Sequence, residues 1–195
     1  MRVIAGRARG IALRMPRGRA TRPTAGRLRE ALFSMLEAAG VDFEAVLDLY
    51  AGSGALGIEA LSRGAGRCTF VERDARACAV VRENLARAGV AEAGRVVHAS
   101  VGRWRAAEDG PYTLVVADPP YDDAASWVAI ERTVAGALAD AATIVVEHAA
   151  REAPPAALAG RALWRDRRQG DGAVAIYRAE HRATAVERDE RGEAG

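Results

Sequence analysis

The sequence predicts an α/β fold with a mostly parallel sheet, because short apolar runs alternate with amphipathic stretches of helical periodicity over most of its length. The clearest unit is an apolar strand at 45–50 that passes directly into Gly52-Ser53-Gly54-Ala55-Leu56-Gly57 and then into a helix. The segment Gly170-Asp171-Gly172 separates the last two apolar runs, which is typical of a hairpin and therefore of antiparallel strands. We expect helices on both faces of the sheet.

An N-terminal extension, placed at residues 1–40, precedes this alternation. Two apolar stretches within residues 2–14 flank a glycine-containing turn, which predicts a short β-hairpin with arginines on its turn and outer face. The segment Arg22-Pro23-Thr24 then begins a helix that Gly40 ends. The apolar side chains of this helix follow one stripe at Leu28, Leu32, Met35 and Leu36.

The main domain, placed at residues 41–179, is predicted to contain seven strands. They lie at 45–50, 68–71, 95–99, 113–117, 143–146, 162–164 and 173–177. A helix with one apolar face links the second strand to the third and ends at Gly89. A later helix carries an apolar stripe at Trp127, Ile130, Val134 and Leu138. Residues 180–195 are rich in Glu, Arg, Asp and Gly and are expected to form a disordered tail.

The net charge of +2 conceals a basic N-terminal end. Residues 1–29 contain nine arginines and no acid, which leaves 19 arginines against 26 acids in the rest of the chain. Such a segment is either a solvated tail or a nucleic-acid-binding surface, and a helix start beside several arginines favours phosphate binding. The candidates for nucleic-acid binding are Arg7, Arg9, Arg22, Thr24, Arg27 and Arg29.

Metal centres, disulfides and membrane segments are not expected. Cys68 and Cys78 are the only cysteines, and they are interpreted as small buried side chains. The three histidines lack the spacing of metal ligands. Arginines interrupt any apolar region near the start, and no uncharged run approaches the roughly 18 residues of a membrane span. We therefore expect a cytoplasmic protein.

The most informative motif is Asp118-Pro119-Pro120-Tyr121, which ends the apolar run 114–117. Two consecutive prolines have no N–H group and a fixed φ, so the carbonyl groups of a stiff turn remain as acceptors. The carboxylate of Asp118 can accept hydrogen bonds from an amine, and the ring of Tyr121 can stack on a planar base. This chemistry suits the binding of a planar amine. The alternative is a turn that only ends a strand.

The predicted strands bring further polar groups to the same cleft. In an open parallel sheet, ligands bind beyond the carboxyl ends of the strands, where Asp48, the glycine loop, Glu72, Ser100 and Asp118 all lie. The spacing G-x-G-x-x-G lets the backbone approach a nucleotide-like ligand, and Glu72 can accept both hydroxyl groups of its ribose. A tight structural turn and a solvated acid at a strand end are the alternative interpretations.

These motifs together resemble the class I S-adenosylmethionine-dependent methyltransferases, whose Rossmann-like, seven-stranded sheet ends in an antiparallel hairpin. Their first motif looks like the segment from Asp48 to Gly54, and Asp118-Pro119-Pro120-Tyr121 is similar to the motif of the amino-methylating members. Up to about residue 178 the chain resembles the 16S rRNA (guanine(966)-N(2))-methyltransferase family. The matching stretches are RVIAG (2–6), RPTAGRLREALF (22–33), DLYAGSGALGIEALSRGA (48–65) and ADPPY (117–121).

This resemblance implies methylation of the N2 amine of guanine 966 in 16S ribosomal RNA, within a 30S subunit or its assembly intermediate, by a monomeric enzyme. The N-terminal arginines and Thr24 would dock the RNA. The implied catalytic residues are Asp118, Pro119, Pro120 and Tyr121. The implied cofactor is S-adenosylmethionine, bound by Asp48, Tyr50, Ala51, Gly52, Ser53, Gly54, Glu72, Arg73, Ser100 and Asp118. The family usually carries Thr-Asp in place of Ala25-Gly26, and Asn or Asp in place of Ser100.

The carboxylate of Asp118 favours guanine over adenine on chemical grounds. Beside its amino group guanine presents an N1–H donor, whereas adenine presents a bare acceptor that a carboxylate repels. An adenine-N6 DNA methyltransferase and a protein-glutamine methyltransferase share the cofactor loop but explain the basic N-terminal end less well. An NAD-dependent dehydrogenase would not explain the Asp118 motif. A non-catalytic RNA-binding module would not explain the predicted cofactor cleft.

Overall fold

A computed structural model describes residues 1–16, 23–120 and 125–179, with side chains from residue 26 onward in the second range. The helices are α1 (Pro23–Ala38), α2 (Ala55–Ser62), α3 (Ala75–Arg87) and α4 (Ser126–Val134), with a 3₁₀ turn at Ala91–Ala93. The strands are β1 (Ala45–Leu49), β2 (Arg67–Glu72), β3 (Gly94–His98), β4 (Tyr112–Ala117), β5 (Leu138–Ala149), β6 (Ala157–Leu158), β7 (Arg161–Gln169) and β8 (Gly172–Arg178). The predicted tail, 180–195, lies outside the described residues.

One mixed sheet organises the molecule, with strand order β3-β2-β1-β4-β5-β8-β7-β6. The first five strands in this order are parallel, and the last three are joined to them by antiparallel pairing. The order reverses direction between β1 and β4, which makes the cleft above these two strands the topological switch point. The predicted α/β class, the mostly parallel sheet and the antiparallel C-terminal strands are confirmed.

Two details of the predicted elements are wrong. The sheet has eight strands, because the short β6 pairs with the start of β7 around a turn in which Ala159 and Gly160 both have positive φ. The fourth helix ends at Val134, and Leu138 begins β5, where it pairs with Tyr112. A left-handed Gly136 separates the two elements, and no helix continues through that conformation.

Both faces of the sheet are covered by helices, each over its own apolar cluster. On one face, side chains of the N-terminal hairpin, α1, α2 and α3 pack against alternate strand residues such as Val116 and Ile176. On the other face, α4 packs against the intervening residues such as Val115 and Tyr177. All five residues of β1 are buried, as expected for a central parallel strand. Within the described residues, no helix is both long and apolar enough to cross a membrane.

The third glycine of the glycine loop allows α2 to approach the sheet. A Cβ atom at Gly57 would lie 2.4 Å from Cε1 of Phe70 and 2.6 Å from Sγ of Cys68, both of which are buried strand side chains. Only a residue without a side chain fits there, because the surrounding core is closely packed. This contact fixes the distance between the helix and β2.

The predicted N-terminal hairpin forms, but as a single antiparallel bridge between Arg2 and Ala12 rather than as two strands. Further backbone hydrogen bonds join its two arms, such as that from the N–H of Val3 to the carbonyl of Ile11 at 3.0 Å, and its turn also bonds to α2. The backbone N–H of Arg7 donates to the carbonyl of Ser62 at 2.8 Å. Gly6 has φ +77°, and a Cβ atom there would lie 1.8 Å from the same carbonyl oxygen.

A buried carboxylate anchors this hairpin to the main domain. Glu59 is fully buried in α2, and its two oxygens accept hydrogen bonds from the backbone N–H groups of Ile4 and Ala5 at 2.8 and 3.0 Å. The guanidinium of Arg63 donates to the same carboxylate at 2.9 Å. The carboxylate of Glu59 therefore fixes the first arm of the hairpin to α2 at Ile4 and Ala5. Whether residues 1–40 form a separate domain stays a prediction.

The structure corrects the interpretation of Arg29 as an RNA-binding residue. Its side chain is only 5% exposed, and it donates to the carbonyl of Arg2 at 2.7 Å and lies 3.9 Å from the carboxylate of Glu59. Burial lowers the pKa of Arg29, and the nearby Glu59 opposes that shift. The buried side chain of Arg29 thus connects α1 to the hairpin, because position 29 faces the core rather than solvent.

Replacement of Gly57 by alanine should destabilise the protein by about 1–3 kcal/mol, since the new methyl group must displace Phe70 or Cys68 in a packed core. Urea denaturation measures this loss. Gly26→Ala is the matched control, because Gly26 lies in a helix with nothing within 4 Å of the added Cβ atom. That change should add about 0.5–1 kcal/mol. Equal effects of the two substitutions would contradict the packing account.

Glu59→Ala should destabilise the protein by about 3–5 kcal/mol, because two backbone donors lose their acceptor and the buried guanidinium of Arg63 loses its buried partner. The control is Glu37→Ala, which removes the half-exposed second partner of Arg63. The control should cost less than about 1 kcal/mol. Chemical denaturation compares the two, and limited proteolysis should show earlier cleavage within residues 1–16 only in the first variant.

Candidate active site

The candidate active site lies at the carboxyl ends of the parallel strands. In the register of the sheet, Leu49 of β1 pairs with Ala117 of β4 and with Val71 of β2. The residues that follow these strands therefore lie side by side at the carboxyl edge of the sheet. The N–H of Asp118 lies 3.4 Å from the carbonyl oxygen of Leu49. This register places the glycine loop, Glu72 and the turn at Asp118 around one cleft.

The glycine loop turns sharply above β1. Tyr50, Gly52 and Gly54 have φ values of 59°, 56° and 76°, so three of five successive residues adopt the left-handed conformation. Glycine adopts it without strain, whereas a tyrosine there costs roughly 1 kcal/mol or more. Such strain is often retained where the chain must approach a ligand closely. The N–H of Gly54 donates to Ala51 at 2.7 Å and closes the turn.

Glu72 fixes the position of the loop from the neighbouring strand. Its Oε2 accepts from the N–H of Gly52 at 2.8 Å, and its Oε1 accepts from the N–H of Asp74 at 2.9 Å. Each carboxylate oxygen has a second lone pair, so both can still accept a hydroxyl group. Glu72 thus combines a structural bond to the loop with the acceptor capacity that a ribose requires. Its predicted ribose contact stays a prediction.

Asp48 has a different environment from that expected of a residue that touches a ligand. It is 1% exposed, and its Oδ2 accepts from the N–H of Gly57 in the first turn of α2 at 2.9 Å. The carboxylate satisfies one of the donors at the start of this helix, which has no side-chain cap of its own. The contact seen for Asp48 is therefore structural, and its predicted cofactor contact stays a prediction.

The electrostatics of the cleft are acidic. Burial raises the pKa of Asp48 well above its usual range, the bond from Gly57 opposes this shift, and the charges of Asp118 and Glu72 raise the pKa further. Three carboxyl groups therefore lie close enough to influence one another. Mutual repulsion of this kind favours the binding of a cationic ligand among them.

Asn84, which the sequence-based reasoning missed, links the loop to the N-terminal hairpin. It is fully buried in α3, its Nδ2 donates to the carbonyl of Ser53 at 2.8 Å and to that of Arg14 at 2.9 Å, and its Oδ1 accepts from the N–H of Arg14 at 2.8 Å. The sequence also did not reveal the role of Glu59. Both are polar side chains on the inner faces of helices, and only knowledge of what packs there identifies their partners.

The remaining predicted cofactor residues line the rim. Arg73 is exposed, and its carbonyl bonds to the ring of His98 at 3.0 Å. Ser100 is half-buried, and its carbonyl accepts from the N–H groups of Arg103 and Trp104, both at 3.1 Å. Neither side chain is fixed by these bonds.

The turn after β4 begins as predicted. Asp118 is half-buried, Pro119 is buried and Pro120 is exposed, so the turn rises from the sheet into the cleft. Tyr121, predicted to stack on the base, lies outside the described residues.

The predicted nucleic-acid-binding residues differ in their environment. Arg7, Arg9 and Arg27 are exposed, as such a role requires. Arg22 and the side chain of Thr24 lie outside the described residues. With Arg29 buried, the exposed set contains three of the six candidates.

The Asp48 carboxyl group should make stability depend on pH. A carboxyl group whose pKa is raised on folding contributes stability fully below its unfolded pKa of about 3.9 and loses that contribution as the pH rises through the folded value. Asp48→Asn keeps an oxygen that accepts from the N–H of Gly57, but its amide does not titrate, so the variant does not lose stability in this way as the pH rises. The free energy of unfolding of the variant relative to the wild type should therefore increase from pH 4 toward pH 7 in urea titrations. The exposed control Asp42→Asn should show no such trend, and parallel curves for all three proteins would contradict the assignment.

Comparison with known proteins gives the family. A family model described as "Conserved hypothetical protein 95" matches residues 1–178. Ribosomal RNA small subunit methyltransferase D of Escherichia coli K12 is 36% identical over 185 residues, which cover 92% of this chain and 90% of that protein. Among solved structures, a hypothetical protein of Thermus thermophilus is 30% identical with a TM-score of 0.78 over 92% of this chain and 99% of that chain.

A more distant structure supports the fold alone. It is an RNA methyltransferase from Salinibacter ruber in complex with S-adenosyl-L-homocysteine, 21% identical with a TM-score of 0.59 over 83% of this chain and 95% of that chain. The match to the methyltransferase of E. coli spans nearly the whole of both proteins, including the motifs at 48–65 and 117–121. The chain therefore belongs to the ribosomal RNA small subunit methyltransferase D family.

Proposed function

We propose that this protein transfers a methyl group from S-adenosylmethionine to the exocyclic N2 amine of a guanine in 16S ribosomal RNA. The observation that carries the proposal is the common level of the glycine loop, Glu72 and the Asp118 turn at the switch point of the sheet. A cofactor pocket and an amine-accepting turn thus face each other across one strand spacing. Family membership supports an rRNA methyltransferase that uses this cofactor.

The residues of the cleft fit the cofactor. Glu72 has acceptor capacity for the two ribose hydroxyl groups, and the backbone at Gly52 and Gly54 allows close approach of the amino-acid part. The carboxylates of Glu72 and Asp118, whose charges act on the buried Asp48, give the cleft a negative charge that suits a sulfonium cation. When bound, S-adenosylmethionine supplies an electrophilic methyl carbon whose sulfur leaves as a neutral thioether.

The chain itself contributes alignment rather than a strong base. A guanine amine is a poor nucleophile, because its lone pair is delocalised into the ring. The carboxylate of Asp118 and a carbonyl of the Pro119-Pro120 turn accept the two N–H bonds, which directs the lone pair toward the methyl carbon. Tyr121 stacks on the flipped-out base. After transfer, the nitrogen loses one proton, for which Asp118 is the nearest acceptor in this arrangement.

The choice of guanine rests on the carboxylate. Guanine presents two adjacent donors, the N2 amine and N1–H, and a carboxylate can accept from both. Adenine would place a lone pair against the same oxygen, whereas an amide at position 118 would tolerate it. The assignment to guanine 966 rests on the family alone.

The substrate is proposed to be 16S rRNA in a small subunit or its assembly intermediate, bound by a monomer in the cytoplasm. The exposed arginines of the N-terminal extension supply charge for phosphate contacts. The end of the hairpin at Arg14 is connected to the glycine loop through Asn84, so the basic segment runs up to the cleft. An adenine-N6 DNA methyltransferase and a protein-glutamine methyltransferase are not favoured by this arrangement or by the family.

The substrate class can be tested with tritiated S-adenosylmethionine and the wild-type protein. Naked 16S rRNA and unmodified 30S particles should accept label, and DNA and a release-factor protein should not. Nucleoside analysis of the product should show N2-methylguanosine. Label that appears only on DNA or on protein would refute the proposed substrate.

Asp118→Ala should lower kcat by at least about 100-fold, because the amine loses the acceptor that aligns it. Binding of S-adenosylhomocysteine, measured by calorimetry, should change by less than about threefold, since Glu72 and the glycine loop remain. Asp140→Ala is the control, because it removes an exposed carboxylate from β5 and should leave kcat unchanged. Full activity of the Asp118 variant would refute the assigned catalytic role.

A further inference from the structure

A second basic surface lies on the C-terminal hairpin, far from the N-terminal arginines in the sequence. Strand β7 contains four arginines and one aspartate. We define the Trp164 patch as Trp164, Arg165, Arg167 and Arg178. Trp164 is one of the few large apolar residues with substantial exposure, at 36%. An exposed indole among arginines is unusual for a plain solvated strand.

The ring of Trp164 holds two of the arginine side chains in place. The guanidinium carbon of Arg165 lies 4.3 Å from the centre of the Trp164 ring, and that of Arg178 lies 5.0 Å from it. A guanidinium placed over an aromatic ring is stabilised by the ring and can still donate its N–H groups to a phosphate group. Less side-chain entropy is then lost when a ligand binds.

Within the described parts of the chain, no carboxylate neutralises these cations. Across the ranges 1–16, 23–120 and 125–179, no carboxylate forms an ion pair with Arg165, Arg167 or Arg178. The one acid of the strand, Asp166, is occupied by His148 at 3.1 Å and Arg168 at 3.5 Å. Three unpaired charges close together repel one another, and a polyanion relieves that repulsion.

The strand pairing places the patch on a particular face. Arg165 pairs with Ile176 and Arg167 with Val174, so these arginines point to the same side of the sheet as their partners. Ile176 and Val174 belong to the apolar cluster that includes α1 and the N-terminal hairpin. Trp164 is the additional residue at an irregularity in the pairing, and such a bulge redirects a side chain. The patch and the N-terminal extension therefore share one face.

The position relative to the cleft also suits a shared ligand. Strand β7 runs parallel to β4, so its end at Gln169 lies at the cleft edge of the sheet. Three strand spacings separate the two strands, which is roughly 14 Å. A nucleic acid with one base in the cleft can reach the patch without passing to the other face.

We propose that the Trp164 patch is a second RNA-binding surface, which holds the phosphate backbone and an unstacked base of single-stranded RNA next to the target nucleotide. The proposal rests on the proposed rRNA methylation. Arginine N–H groups bind phosphates, and a base can stack on the guanidinium groups that lie over the indole. Single-stranded loops are the elements of RNA that present such bases.

The test compares Arg165→Gln/Arg167→Gln with the control Arg103→Gln/Arg132→Gln, which removes two exposed arginines near α4 and β3. The patch variant should bind naked 16S rRNA roughly tenfold more weakly, and the slope of log affinity against log salt should fall by about 1.4. The KM for RNA should rise by a similar factor, while kcat and the affinity for S-adenosylhomocysteine stay unchanged. The control should match the wild type.

Trp164→Leu and Trp164→Phe separate stacking from folding. Stacking predicts that leucine weakens RNA binding about tenfold and that phenylalanine restores most of it, with equal thermal stability of the two variants. If Arg165→Gln/Arg167→Gln and Trp164→Leu bind RNA with wild-type affinity, the patch does not bind RNA, whereas the proposed methylation is unaffected. If these variants lose affinity for 30S particles but not for naked 16S rRNA, the patch contacts a ribosomal protein, and the proposed RNA contact is wrong. A wild-type protein that neither binds nor methylates RNA would overturn both proposals.

Discussion

The parallel pairing of β1 with β4 is the constraint on which the candidate site depends. These strands are not consecutive in the chain, yet their pairing at the switch point sets the glycine loop beside the turn at Asp118. The proposed cofactor pocket and the proposed amine-binding turn thus follow strands that lie one strand spacing apart, about 4.8 Å. A shift of this register by one residue would move Asp118 to the wrong face.

Buried polar side chains stabilise the elements around that pairing. Asp48 holds the start of α2, Glu72 holds the glycine loop, Glu59 holds the N-terminal hairpin, and Asn84 joins the hairpin to the loop. In each case a side-chain oxygen accepts from a backbone N–H group, which orders a segment that has few hydrogen bonds of its own. One of these groups, Glu72, also adds its charge to that of Asp118 beside the buried Asp48. Glu72 therefore combines structural support with the negative charge that the proposed cationic ligand requires.

The order and type of most elements could be predicted from the sequence, because apolar runs alternate with helical periodicity and several strands end beside a polar residue or glycine. The closeness of the segments 52–57 and 118–120 could be predicted because each follows the carboxyl end of a parallel strand. Arg29 was misassigned, since charge clustering does not tell which arginine faces the core. Asn84 and Glu59 could not be found, because their backbone partners lie between 31 and 70 residues away in sequence. The short β6 was missed because its turn uses an alanine with positive φ.

In the proposed reaction, the Asp118 carboxylate recognises the N1–H and the N2 amine of guanine together. The most direct measurement uses an RNA substrate in which the target guanine is replaced by 2-aminopurine, which keeps the 2-amino group but has a bare N1. We expect kcat/KM to fall by roughly 10- to 100-fold, because the carboxylate of Asp118 then faces the lone pair of N1 instead of the N1–H donor. Methylation of both substrates at the same rate would contradict it.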